Sequence, residues 1–149
     1  MKWLLDKYEV TGLIENRLSH LIPNPDHQII VSDKEYRTVS LKWVSNRISS
    51  DEILTGAYTE NVFDCEDMAF YLRTKASLFS LHSKMDAPMA MGILMTHIHA
   101  FNFCVDDTKG LTLIDTANFS EKGYCRAQAD FEKFLEIDEA GNLIRLVFI

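Results

Sequence analysis

The order of segments along the chain predicts an α+β fold, with helices packed on an antiparallel sheet. Helix signals crowd the first half, and apolar strand-like runs crowd the second from Met89 onward. Between two of those runs, Asp106-Asp-Thr-Lys-Gly110 has the composition of a hairpin loop. Helices followed by mostly strands point to this class rather than to alternating α/β. With 149 residues, 47% of them hydrophobic, the chain can bury a real core as one domain over 1–149. We divide it into a helical N-terminal part at 1–50, a core at 58–119, and a C-terminal helix and strand at 120–149.

Residues 1 to about 21 read as helix, with Leu4, Tyr8, Leu13, Ile14, Leu18 and Leu21 along one side and a weak point at Val10-Thr-Gly12. Pro23-Asn-Pro25 ends it, and Gln28 to Val31 suits a short strand. Ser32-Asp-Lys-Glu35 is a capping-box pattern, which predicts a second helix from Asp33 to about Ile48. Ser49-Ser-Asp51 turns the chain, and 56–63 reads as an irregular loop.

Asp64 is a good N-cap, with Asp67 three residues on to complete a capping box. Cys65, Ala69, Leu72, Ala76 and Phe79 then recur at steps of three and four, the stripe of an amphipathic helix. The region from Leu81 to Pro88 is polar and turn-like. Met89–Met95 is the first strand, its three methionines read as core filler rather than a groove. His97–Val105 and Leu111–Ala117 are the next two strands. Ala127–Leu135 reads as helix, and Leu143–Ile149 as the last strand.

Charge and cysteine content narrow the partners. The formal net charge is −7, and no Lys/Arg cluster offsets it, so neither nucleic acid nor an anionic membrane is expected as a partner. The start of the chain has too short an apolar run for a signal peptide, and no stretch reaches transmembrane length. Three cysteines, Cys65, Cys104 and Cys125, cannot all pair within one chain, so a reducing cytoplasm is the expected location. The oligomeric state is not legible.

Cys65 falls in the first turn of its helix, where unpaired N–H groups and the positive dipole end favour a thiolate. Asp64, Glu66 and Asp67 act against this, each by about 1 kcal/mol for an exposed pair at about 4 Å. A cationic partner is therefore needed. If the hairpin loop holds residues 106–110, Val105 faces Leu111 and paired residue numbers sum to 216. His99 and Asp115 then share a face as diagonal neighbours, within reach of a hydrogen bond. A loop one residue shorter would turn Asp115 to the other face.

That register gives each residue a role. Cys65 is the candidate nucleophile, His99 the general base and acid, and Asp115 the group that fixes the imidazole. Asn118 and Asn102 remain alternatives to Asp115. The N–H of Cys65 is one candidate oxyanion donor, and Tyr58 a weak candidate for a second. His97 lies close enough in sequence for a zinc set with His99, Asp115 and Cys65, although no metal motif supports one and no metal or other cofactor is assigned. Cys104 alternates away from His99 and reads as core. Asp106-Asp107 reads as a solvated turn rather than a calcium site.

Asp64-Cys-Glu-Asp67, His99-Ala100 and Leu113-Ile-Asp115, in that order and 34 and 16 residues apart, resemble the transglutaminase-like and papain-like cysteine hydrolases. The bacterial transglutaminase-like cysteine peptidases are the nearest in pattern, and the likeness spans about residues 58–119. The resemblance implies a papain/transglutaminase-like core, with the Cys65 helix packed on the sheet that bears His99 and Asp115. It also implies a thiol-dependent hydrolase or acyl transferase, such as a thiol protease or amidase, acting on an amide bond in a peptide or protein substrate. The alternatives are a non-catalytic protein-interaction or effector module on the same fold, and a zinc-dependent hydrolase.

Overall fold

The computed structural model describes residues 1–24, 28–56, 59, 62–138 and 141–149. The described elements are β1 (Leu4–Asp6), α1 (Lys7–Leu18), β2 (Ile29–Ile30), β3 (Glu35–Arg37), α2 (Leu41–Ser50) and α3 (Glu52–Gly56). They continue with α4 (Cys65–His82), β4 (Met91–Thr96), β5 (Ala100–Val105), β6 (Leu111–Ile114), β7 (Tyr124–Cys125), α5 (Phe131–Phe134) and β8 (Ile144–Phe148).

Six strands form one sheet in the order β2-β8-β4-β5-β6-β7, and β1 pairs with β3 in a separate ribbon. Every residue of β5 and β6 is buried. That explains why these strands read as near-continuous apolar runs: both faces of the sheet are covered. On one face α4 crosses β4 and β5, burying Ala69, Leu72 and Ala76 of its predicted stripe together with Met68. On the other, Phe101 meets Phe134 of α5 at 5.8 Å between ring centroids.

The expected purely antiparallel sheet is corrected. β2 runs parallel to β8, with Ile29 opposite Val147 and Ile30 opposite Phe148, so the sheet is mixed. The N-terminal part is not wholly helical either. Asp6, whose side chain accepts from the Glu9 N–H at 2.8 Å while Glu9 reaches back to the Asp6 N–H, starts α1 at Lys7 and leaves residues 4–6 as strand. Ser32-x-x-Glu35 is a false start. Residues 35–37 are strand because Tyr36 buries its ring there and its hydroxyl accepts from the Asp33 N–H at 2.7 Å. The second long helix begins only at Leu41.

The β5–β6 hairpin has the anticipated register: Val105 faces Leu111 and Asn102 faces Ile114. Its loop is not a solvated turn. Asp106 is buried and accepts from the Thr108 and Gly110 N–H groups, the Thr108 and Thr112 hydroxyls, and Arg126 Nε at 3.1 Å. Asp107 takes the chain's N-terminal ammonium at 2.9 Å and the Thr38 hydroxyl at 2.6 Å. Asp106 thus ties the hairpin tip to itself and to Arg126, while Asp107 fastens it to the chain start.

Candidate functional site

β5 leaves and β6 returns at one end of the sheet, so His99, just before β5, and Asp115, just after β6, meet there. The reading of 97–99 as strand is corrected: these residues form a tight turn. The Thr96 N–H donates to the His99 carbonyl at 2.9 Å, and the Thr96 hydroxyl accepts from the Ile98 and His99 N–H groups. Turn and hairpin together place His99 Nε2 at 3.0 Å from Asp115 Oδ1.

Asp115 has no exposed surface, and its carboxylate is fully engaged. Besides His99 it accepts from the Asn118 N–H at 3.0 Å and the Asn118 side-chain amide at 3.2 Å, and Lys122 Nζ lies 3.8 Å away. Burial alone would raise its pKa, but the bonds from His99 and Asn118 win and hold the carboxyl below its ordinary range. Asn118 therefore supports Asp115 instead of replacing it. Asn102 is also not the orienting group. Its amide donates to the Ala69 and Gly92 carbonyls at 2.9 and 3.1 Å, tying α4 to the sheet one turn beyond Cys65. Lys122 carried no signal in the sequence, since it reaches Asp115 only through the fold after β6.

Cys65 opens α4. Asp64 caps the helix, accepting from the Glu66 N–H at 3.2 Å, and Asp67 closes the capping box. The half-buried Cys65 packs beside Ala69, Ile93, Ala100 and Met95. The small side chains of Ala69 and Ala100 let the helix start approach the sheet end where His99 lies. Burial disfavours the charged form of His99, but the Asp115 bond and charge, with the Cys65 sulfur nearby, outweigh it. The imidazole is raised to about 9, so at neutral pH it is an imidazolium, bonded to the Asp115 carboxylate and sharing a cavity wall with Cys65. Phe101 packs edge-on at 4.5 Å and restrains the ring.

Cys65 and His99 line one cavity of about 400 Å³ with Glu66, Met95, Thr96, His97, Ile98, Arg145 and Leu146. Cys104 is fully buried, and burial reinforced by the Asp106 charge pushes its thiol far up. Tyr58 lies outside the described residues. Among the described residues no group of three His, Cys, Asp or Glu side chains stands close enough to hold a metal ion, so the zinc set is not assembled. Nor is any described helix long and apolar enough to cross a membrane.

No protein-family model and no curated protein matches the chain. Solved structures match its fold, two of them over nearly the whole of this chain. One is a PSL1a–E64 complex, with a TM-score of 0.72 and 14% identity, covering 98% of this chain and 51% of the other. The second is Polyporus squamosus lectin bound to the human-type influenza-binding epitope Neu5Acα2-6Galβ1-4GlcNAc, with a TM-score of 0.70 and 12% identity, covering 98% and 49%. The chain thus spans about half the length of these neighbours. At such identities the likeness shows the fold alone.

These findings correct the family expectation. The two neighbours are a PSL1a–E64 complex and a lectin bound to a glycan, neither of them named as a transglutaminase-like peptidase, and a papain-like core is not shown. The amide hydrolase or acyl transferase, together with its cysteine-peptidase description, rested on that family and falls with it. So does the peptide or protein substrate, since the lectin neighbour is bound to a glycan. The physical reason is plain. Three short motifs carried the resemblance, and each also has a local cause: a helix cap, a tight turn and a hairpin exit.

Proposed function

We propose that Cys65, His99 and Asp115 form a nucleophilic thiol site that bonds covalently to an electrophilic carbon of a ligand held in the adjoining cavity. The observation that carries this reading is the His99 ring, which lines one cavity with Cys65 and is held at 3.0 Å by a buried carboxylate. In such a step the sulfur forms a C–S bond and the bond to the departing group breaks. His99 gives its proton to that group and returns to the neutral form that Asp115 orients. Asp115 contributes orientation and charge, while Asn118 and Lys122 fix Asp115. Residues 58–119 carry the site within a unit that we take as 1–149. Three thiols free of disulfides suit a reducing compartment, so a cytoplasmic setting belongs to the same proposal.

The test is alkylation by iodoacetamide at pH 6, located by peptide mass spectrometry. Cys65 is expected to label at least tenfold faster than Cys125, with a rate nearly flat from pH 6 to 8, and His99→Ala to abolish the advantage. E64, present in one neighbour's complex, serves as a second probe of the same sulfur. A Cys65 rate that climbs only toward pH 8.5, as for an ordinary thiol, would sink the reading.

A second reading, glycan binding, is favoured by a different observation: the lectin that shares this fold is bound to a sialylated trisaccharide epitope. Calorimetric titration of the whole chain with Neu5Acα2-6Galβ1-4GlcNAc decides it. Saturable heat lost in a cavity variant such as His97→Ala supports glycan binding in this cavity. No heat at millimolar ligand removes it.

A further inference from the structure

The charges around the cavity are not those of the rest of the molecule. The chain carries a net charge of −7, yet this cavity gathers Arg145, His97 and the His99 imidazolium against one carboxylate, Glu66. Elsewhere ion pairs hold Arg37 with Asp86, Lys75 with Asp51, Lys109 with Glu9, Lys122 with Asp115 and Glu136, and Arg126 with Asp106. The Arg145 guanidinium makes no hydrogen bond or ion pair with any described residue, and the His97 ring makes none either.

The backbone shows why Arg145 stands there. Along the β4–β8 ladder Met95 pairs with Leu146, but the next residue, Thr96, pairs with Ile144. Arg145 is the extra residue of a β-bulge, set at the cavity wall. A bulge breaks the alternation of a strand and re-aims one side chain. Here the re-aimed side chain is a guanidinium whose five donors suit a planar carboxylate.

We infer that Arg145 is a specificity-determining residue which holds a carboxylate on the ligand while Cys65 faces the ligand's reactive carbon. This rests on the nucleophilic reading of Cys65. The ligand class is accordingly a small organic acid, or an acid-bearing end of a larger molecule, with its electrophilic carbon a few bonds from the carboxylate.

Iodoacetate and iodoacetamide separate the two claims, because they undergo the same substitution and differ only in a carboxylate. Second-order rates at Cys65 are measured for both at pH 6.5, each divided by its rate with free glutathione. The expected result is a corrected preference for iodoacetate that falls about fivefold in Arg145→Ala and is largely kept in Arg145→Lys. Circular dichroism checks that each variant is folded, and Arg145→Gln repeats the test should the alanine variant fail that check. Fast reaction with both reagents, but the same preference with and without the guanidinium, overturns the role of Arg145 and leaves the charge on His99 as its source. Rates for both reagents no faster than glutathione overturn the nucleophilic reading itself.

Discussion

Asp115→Asn is expected to cost about 3–5 kcal/mol of stability at pH 6, the range for removing one partner of a buried ion pair. It should also slow alkylation of Cys65 at pH 7 at least tenfold. Asparagine keeps the shape and can still bond Asn118, but it cannot neutralise the His99 charge. The imidazolium, mostly buried beside Phe101, then loses its counter-ion and gives up its proton. Histidine ordinarily titrates near 6.5, and in the folded chain His99 is raised to about 9. A raised folded value means that the contribution is fully present below about 6.5 and is lost as the pH climbs through about 9. The stability gap between wild type and Asp115→Asn should therefore be widest at pH 6 and narrow by pH 9.5. Urea titrations across that range measure it. A gap that stays constant with pH would mean that the ion pair adds nothing and only hydrogen bonds were lost.

Much of this geometry could be read from local chemistry. The Asp64-Asp67 capping box fixed where the Cys65 helix begins, and the five-residue loop after Val105 fixed which face Asp115 shares with His99. Both signals act over a few residues, where cap and turn stereochemistry dominate. The short strand at Ile29–Ile30 lies within the expected Gln28–Val31, but β1 and β3 escape the local signals for the opposite reason. Ser32-x-x-Glu35 satisfies the cap pattern locally, but burial of Tyr36 and its bond to Asp33 outweigh it. Asp6-x-x-Glu9 carries an equally good signal, and there the capping box forms. The parallel pairing of β2 with β8 joins residues more than a hundred positions apart, and no local pattern encodes it. The bulge at Arg145 is also invisible in sequence, since it depends on how β8 slips against β4. The family resemblance failed for a related reason, because short motifs report local geometry and carry little about what the cavity admits.

Gly92→Ala tests the packing that positions this wall. A Cβ at Gly92 would collide with the Phe103 ring and stand 2.5 Å from the Phe148 carbonyl oxygen. An aromatic ring in a filled core has little room to turn, and the carbonyl belongs to β8, so the strand itself must move. The expected cost is about 3 kcal/mol, the upper end for overpacking, with a fall in Tm of about 6–12 °C for a domain of this size. Ile93, next to Gly92, pairs with Phe148. Displacing β8 there should also shift the bulge and weaken the preference for iodoacetate. Gly12→Ala supplies the contrast, because nothing lies within 4 Å of a Cβ built at that position in α1. There the same added methyl relieves the backbone entropy of glycine in a helix and should stabilise by about 0.5–1 kcal/mol. One methyl group is thus expected to act with opposite sign at two glycines. A loss below about 1 kcal/mol at Gly92 would show that β4 and β8 are free to part, and that the Arg145 wall is not held by their contact.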